Sequence, residues 1–151
     1  MQTNIDKKDL KILDILKENA RLTTRQIAKK TNLPITTVHH RMRKLETKRV
    51  IKSYTILPDH QALDKGLLVY VLISVSLILL KEKQKSQYDI AKKLKSYPFI
   101  ERVDIVSGGA DLIAVVRVKD VSAYDEVLLN MIQRVEGVEK TQSLIVLHAN
   151  E

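Results

Sequence analysis

The sequence predicts an α+β protein in which three short helices precede a domain with the order β-α-β-β-α-β. Apolar residues recur at helical spacing through residues 1–50, whereas β-branched apolar runs alternate with helical patterns from Leu67 onward. With 44% hydrophobic and 29% charged residues, the chain has the composition of an ordinary folded protein. Its 151 residues are enough for one domain or for two small ones.

The first two helices have clear start signals. Asp6 precedes an apolar series, which predicts a capped amphipathic helix over residues 6–19. Thr23 and Gln26, three residues apart, fit a capping box for a second helix that ends near Thr31. A third helix must then begin almost at once, in "ITTVHHRMRKLE".

The third helix is predicted to have one apolar and one polar face. At 100° per residue, His40 points away from the apolar stripe, and His39 lies nearer its flank. Two adjacent histidines are about 100° apart, whereas helical metal pairs use a spacing of three or four residues, so we expect no metal site here. The predicted buried stripe is Ile35, Val38, Met42 and Leu45.

The segment from Arg49 to Leu57 alternates loosely and suggests one or two short strands, or else a plain connecting loop. "LLVYVLISVSLILL", from Leu67 to Leu80, is apolar throughout and predicts a strand covered on both sides. This run is shorter than the roughly 20 residues that span a bilayer, so we expect no membrane anchor.

Two helices and three more strands are predicted after this run. "IERVDIVSG" and "ADLIAVVRV" are strands joined at Gly108-Gly109, a dipeptide that suits a tight turn, and "EKTQSLIVLHA" is the last strand. The order is that of a ferredoxin-like fold, with a four-stranded antiparallel sheet and both helices on one face. Because the other face is apolar and uncovered, we expect a homodimer. The second helix of this domain is predicted to bury Leu128, Met131, Ile132 and Val135.

The excess of positive over negative charge lies in the N-terminal third. Residues 1–50 contain 13 Lys and Arg against 5 Asp and Glu, while residues 51–151 contain 13 against 13, so this third accounts for the net charge of +8. A basic module beside a neutral one favours a polyanionic partner, with an ordinary solvated surface as the alternative.

Three helices with a short turn between the second and third predict a helix-turn-helix that binds double-stranded DNA. Short polar side chains near the start of the third helix suit base edges, and cations nearby suit phosphates. The predicted base contacts are Thr36, Thr37 and His40. The predicted phosphate contacts are Arg41, Arg43 and Lys44, together with Thr24 and Arg25 at the start of the second helix.

Several segments carry a resemblance to a known family. They are "IDKKDLKILDILKENARLTTRQIAKKTNLP", "RMRKLETKRVIKSYTIL", "VDIVSGGADLIAVVRV" and "GVEKTQSLIVL". Through them nearly the whole chain resembles the Lrp/AsnC, or feast/famine, family of prokaryotic transcriptional regulators.

The resemblance implies a winged helix-turn-helix in residues 1–52, a β hinge and linker in 53–66, and a βαββαβ ligand-sensing and oligomerisation domain in 67–151. It also implies dimers that commonly assemble into octamers, and a small-molecule effector that is often an amino acid. Carried over from the family, the effector-binding residues are Gly108, Asp111, Thr141 and Ser143.

The sequence departs from the family pattern at four positions. Pro34 stands where a Ser or similar cap is usual, Arg49 stands where a Gly is usual, and Gly109 and Ala110 replace an acid and an aromatic residue beside the effector site. The effector pocket could therefore differ from that of the family, and a bare hairpin turn at Gly108-Gly109 is the alternative.

The leading hypothesis is a sequence-specific DNA-binding regulator modulated by an amino-acid-like effector. An architectural, largely non-specific DNA-binding protein and a metabolite-binding protein without a DNA role are the alternatives. We expect no enzyme and no cofactor, because no phosphate loop, nucleophile elbow or paired-carboxylate pattern is recognisable. The absence of Cys fits a reducing cytosol, so we expect a cytoplasmic, nucleoid-associated protein.

Overall fold

The computed structural model describes residues 4–149, which fall into two compact units divided between Pro58 and Asp59. Both predicted helix start signals of the N-terminal unit are confirmed. Oδ1 of Asp6 accepts the backbone N–H groups of Lys8 and Asp9 at 2.8 and 3.0 Å. Thr23 and Gln26 form the predicted capping box. The helices of this unit are α1 (Lys7–Glu18), α2 (Thr24–Thr31) and α3 (Ile35–Thr47).

The core of the N-terminal unit lies between the three helices. Ile12 of α1, Ile27 of α2, and Val38 and Leu45 of α3 are fully buried. The predicted stripe of α3 is wrong at one position, since Ile35 is 49% exposed. A side chain in a helix leans over the preceding turn of that helix. Ile35 is the first residue of α3, so no preceding turn exists for its side chain to cover.

The end of α3 is closed by backbone hydrogen bonds that require an unusual residue conformation. Arg49 N–H donates to the carbonyl of Glu46 and Val50 N–H to that of Leu45, both at 2.9 Å, with Arg49 at φ 53°. This is a Schellman motif, whose left-handed position usually holds Gly. Contrary to the prediction of a hinge strand in 53–66, residues 52–59 of the single chain form neither helix nor strand, and residues 60–64 form turns. An extended segment needs a hydrogen-bonded neighbour to become a strand.

The C-terminal unit contains the predicted four-stranded antiparallel sheet, in the order β2-β3-β1-β4. Ile90 and Ile132 from the helices pack in one core with Val69, Val71 and Ile73 of β1, so the helices cover a single face. The elements are β1 (Leu67–Val75), α4 (Leu77–Glu82), α5 (Gln87–Lys95), β2 (Ile100–Ile105), β3 (Leu112–Val118), α6 (Val121–Val127) and β4 (Val138–Ile145).

Two helical features of this unit differ from the prediction. The apolar run from Leu67 to Leu80 is not one strand, because β1 ends at Val75 and the hydroxyl of Ser76 accepts Leu79 N–H at 3.4 Å to start α4. The last helix changes its winding after α6: Leu128–Ile132 form a π-helix, and Gln133 N–H donates to the carbonyl of Leu128 at 2.9 Å. Ile132 and Val135 are buried as predicted, whereas Leu128 and Met131 are partly exposed.

The sheet face opposite the helices exposes the predicted apolar surface. Tyr70 and Leu144 are directly paired across β1 and β4 and remain 38% and 47% exposed. No helix in residues 4–149 is long and apolar enough to cross a membrane.

Candidate nucleic-acid interface and effector site

One face of α3 is open to solvent and polar. Thr36, His39, His40 and Arg43 are all exposed, and their spacing of three and four residues places them on one side of the helix. The predicted base contact Thr37 is half-buried beside this face. His39 is exposed next to His40, at the edge of this face that lies nearest the buried residues Val38 and Leu45.

The first turn of α2 lies beside this face. Thr24 lines a shallow surface concavity together with Ile35, Thr36, His39 and His40. The two helix starts therefore present polar groups side by side.

The predicted cations of α3 fall into two groups. Arg43 is exposed, as is Arg25 on α2, and neither has an ion-pair partner within the described part of the chain. Arg41 instead donates through Nη1 to both carboxylate oxygens of Asp6 at 2.7 Å and to Oδ1 of Asp9 at 2.8 Å. Lys44 donates to Oδ2 of Asp9 at 2.8 Å. These two cations are already neutralised by carboxylates from α1 and its cap.

The electrostatics of this cluster favour the charged forms. Hydrogen bonds from Arg41, and then from the backbone, lower the pKa of Asp6 from 3.8 to about 2. Burial raises the pKa of Asp9, but hydrogen bonds from Lys44 and Arg41 outweigh burial and hold it below its ordinary value. The same bonds raise the pKa of Arg41. Arg41 and Lys44 thus hold α3 against the start of α1. Sequence reasoning missed this role, although the two acids, Asp6 and Asp9, and the two bases each lie three residues apart.

Asp111, the predicted effector contact, is engaged on both carboxylate oxygens. Oδ2 accepts Val75 N–H at 2.9 Å, and Oδ1 accepts the side-chain amide of Gln87 at 3.0 Å. Gly108 lies in the loop of residues 106–111 with φ 133° and no atom within 4 Å of the place where a Cβ would be. The connection is longer than the predicted tight turn, and Gly109 does not share the positive φ.

Thr141 and Ser143 lie on β4, across β1 from Asp111. Thr141 pairs with Ile73 of β1. On the opposite edge of β1, the Ile73 carbonyl accepts the N–H of Asp111 at 3.0 Å. The hydroxyl of Thr141 accepts the amide of Gln133 at 2.8 Å, and that of Ser143 shares a hydrogen bond with the Tyr124 hydroxyl. Burial raises the pKa of Tyr124. The structure thus brings Asp111 and Thr141 to one end of the sheet, with their polar groups occupied by the chain itself.

Comparison with known proteins agrees with both regions. Residues 5–52 match the model of a winged helix-turn-helix DNA-binding domain, and residues 70–150 match that of the Lrp/AsnC ligand-binding domain. The chain belongs to the Lrp/AsnC family. The predicted family and fold class are thereby confirmed.

Relatives of this Lrp/AsnC protein are regulators. The HTH-type transcriptional regulator FL11 of Pyrococcus furiosus is 32% identical over all of this chain and 95% of its own length. LrpA of Pyrococcus horikoshii is 30% identical over 95% of this chain and 96% of its own length.

Solved structures share the fold. An AsnC family regulator from Agrobacterium tumefaciens has a TM-score of 0.83 and 28% identity, covering 97% of this chain and 92% of its own. The Neisseria meningitidis regulator NMB0573, solved as a complex with L-Met, has a TM-score of 0.89 and 24% identity, covering 98% and 93%.

This Lrp/AsnC protein is therefore a transcriptional regulator with a DNA-binding helix-turn-helix and a ligand-binding domain. Its partners are DNA and a small-molecule ligand, as the two matched domains indicate. Family membership points to a regulator rather than an enzyme.

Proposed function

We propose that this regulator recognises specific DNA sequences with the exposed face of α3 and that an amino-acid-like effector modulates the binding. The observation that carries the proposal is the set of exposed polar side chains Thr36, His39, His40 and Arg43 on one face of the second helix of a helix-turn-helix. Short hydroxyl and imidazole groups suit base edges in the major groove, where each base pair shows a distinct pattern of donors and acceptors.

The residues around α3 divide the work of binding DNA. Thr36, Thr37 and His40 contact bases, with His39 added to the set predicted from the sequence. Thr24, Arg25 and Arg43 contact phosphates, because Arg25 and Arg43 are exposed and free of acidic partners within residues 4–149. Arg41 and Lys44 act mainly by positioning α3, since Asp6 and Asp9 hold their charges.

A two-fold dimer would present two copies of α3 to successive major grooves, about 34 Å apart on a pseudo-palindromic site. Dimerisation through the apolar sheet face around Tyr70 and Leu144 would cover a surface that is otherwise exposed. Because DNA is the target, we place the protein in the cytoplasm at the nucleoid, acting without catalytic activity or a cofactor.

The effector proposal is an amino acid bound near Gly108, Asp111, Thr141 and Ser143. The Asp111 carboxylate suits an ammonium group, and the hydroxyls of Thr141 and Ser143 suit a carboxylate. The L-Met complex of the structurally similar Neisseria regulator supports this ligand class. Since Asp111 is bonded to Val75 and Gln87 in the single chain, effector binding would exchange at least one of these bonds and so reach the start of α5.

Selection of genomic fragments tests the DNA proposal. We expect a few fragments to be enriched at both low and moderate salt. His40→Ala should cost about 1–3 kcal/mol at particular base pairs, while Arg43→Ala should weaken all fragments and reduce the salt slope by about 1. His148→Ala, an exposed histidine of the other unit, is the matched control and should change neither quantity. Equal affinity for every fragment would instead indicate the architectural role.

Thermal-shift screening with the twenty amino acids tests the effector. A ligand of the folded state raises the apparent stability, by about 2.7 kcal/mol at a concentration 100 times its Kd. Asp111→Ala should remove the shift, whereas Asp104→Ala, an acid of β2 that pairs with Arg102, should leave it in place. A shift that survives Asp111→Ala would place the effector elsewhere.

A further inference from the structure

A second concave site lies in the C-terminal unit, between α5 and the π-helix. The groove has a volume of about 430 Å³, within the range of about 300–1,000 Å³ that small-molecule pockets occupy. Its apolar part is formed by Ile90, Tyr97, Met131 and Val135. None of the proposed effector contacts lines it.

The acids at this groove are occupied by neighbouring groups. Glu136 forms an ion pair with Lys85 and lies 3.8 Å from Lys83. The Asp89 carboxylate accepts the backbone N–H and the hydroxyl of Ser86 at 2.8 and 2.7 Å, as part of the cap of α5. These bonds lower the pKa values of Asp89 and Glu136, so both carboxylates stay ionised and hydrogen-bonded to these neighbours.

Two cations at the groove have no such partner. Lys93 and Arg134 both line it and are exposed, and within residues 4–149 neither forms an ion pair. Lys93 lies with Nζ 5.1 Å from the centroid of the Tyr97 ring, and that ring stacks on Phe99 at 5.3 Å. The aromatic contacts keep Lys93 beside the groove, with its charge free to meet an anion.

The π-helix forms the remaining wall of the groove. Asn130 and Met131 belong to the π-helix, and both line the groove. Short π-helical segments are rare and often occur at functional sites, because they point side chains in directions that a regular α-helix would not allow. Methionine is flexible and polarisable, so it adapts to apolar ligands of different shapes.

We propose that this groove binds a second ligand, a small carboxylate joined to an apolar group. The carboxylate meets Lys93 and Arg134, and the apolar group lies on Met131, Ile90 and Val135. Guanidinium groups bind planar carboxylates through two parallel hydrogen bonds, which assigns the main anchoring contact to Arg134. This site goes beyond the proposed amino-acid effector, uses different residues, and requires no DNA.

Phenylacetate is a suitable probe, because it combines the two required groups in a small molecule. Saturation-transfer difference NMR on the full-length protein should show binding of phenylacetate. Affinity should fall at least tenfold for acetate, which lacks the apolar group, and for 2-phenylethanol, which lacks the charge. No binding of phenylacetate, or equal binding of 2-phenylethanol, would overturn the proposal.

Matched variants locate the site. Lys93→Gln combined with Arg134→Gln should weaken phenylacetate at least tenfold. As a control, Lys92→Gln combined with Lys95→Gln removes two exposed charges of α5 that lie outside the groove. This double variant should bind phenylacetate with unchanged affinity. All four positions are exposed, so far-UV circular dichroism should match the unaltered protein.

Asp111→Ala separates the groove from the proposed effector pocket, and phenylacetate should still bind this variant. If Asp111→Ala abolished binding while the Lys93 and Arg134 variant kept it, phenylacetate would occupy the effector pocket and the groove would not be a ligand site.

Discussion

The Asp9→Asn variant tests how α3 is held in place. Asp9 is 0% exposed, and its two carboxylate oxygens accept Arg41 and Lys44 from α3, both at 2.8 Å. Asparagine keeps the size and shape of the side chain but removes its charge and directs an N–H₂ group at a cation. The substitution therefore isolates electrostatics from packing.

The expected loss of stability follows from the geometry. Removing one partner of a buried ion pair costs about 3–5 kcal/mol. Two features reduce this figure, because Arg41 keeps its bonds to Asp6 and because the Arg41 and Lys44 side chains remain 21% and 35% exposed to water. We expect about 2–3 kcal/mol, which lowers the melting temperature of a unit of this size by roughly 10–20 °C.

Hydrogen exchange read by mass spectrometry resolves the two units separately. Amides of α1 and α3 should lose protection in Asp9→Asn, while those of the β-sheet should keep it. DNA affinity should fall for all sequences alike, since the position of α3 changes and its base-contacting side chains do not. Asp14→Asn is the control on the same helix, because its pair with Lys17 is exposed and contributes at most about 1 kcal/mol. Equal losses in the two variants would refute a structural role for the Asp9 cluster.

Three further predictions concern stability. Arg49→Gly should raise the free energy of unfolding by about 1 kcal/mol in urea titrations, since φ is 53° there, and a decrease would contradict a left-handed strain. Gly137→Ala should cost at least about 2 kcal/mol by the same assay, because φ is +99° and a Cβ would lie 2.7 Å from Cδ1 of Ile90; Gly109→Ala, with nothing within 4 Å, is its control. Acid should destabilise the N-terminal unit. The Asp6 and Asp9 pKa values are lower in the folded chain, so their stabilisation is present above the ordinary pKa of 3.8 and disappears as pH falls toward about 2, as circular dichroism would show. An acid transition of equal steepness in Asp9→Asn would contradict that assignment.

Features that depend on neighbours in the sequence were predictable. Asp6 and Thr23 signal helix starts because a cap bonds to backbone groups two or three residues away. The four strands of the C-terminal unit were predictable from apolar runs that alternate with helical patterns along the chain. The exposed positions Thr36, His40 and Arg43 followed from helical periodicity alone.

Predictions failed where local pattern was ambiguous. Leu67 to Leu80 is equally apolar throughout, so nothing in its composition marks Ser76 as the point where a strand becomes a helix. The hinge segment alternates as a strand does, but within residues 4–149 it pairs with no neighbouring strand. Ile35 fits the apolar stripe by angle, yet it occupies the first position of its helix and stays exposed.

The sequence by itself determined the helix starts of the N-terminal unit, the four strands of the C-terminal unit and the excess of positive charge in the first third. These depend on periodicity and on contacts within a few residues. Only the tertiary structure decided which charges remain free for a partner. Arg41 meets Asp9 across 32 residues, and Val75 meets Asp111 across 36, and no local rule specifies such pairs. An exposed Arg43 and an occupied Arg41 look alike in the sequence, because the carboxylates that distinguish them are brought near only when α1 packs against α3.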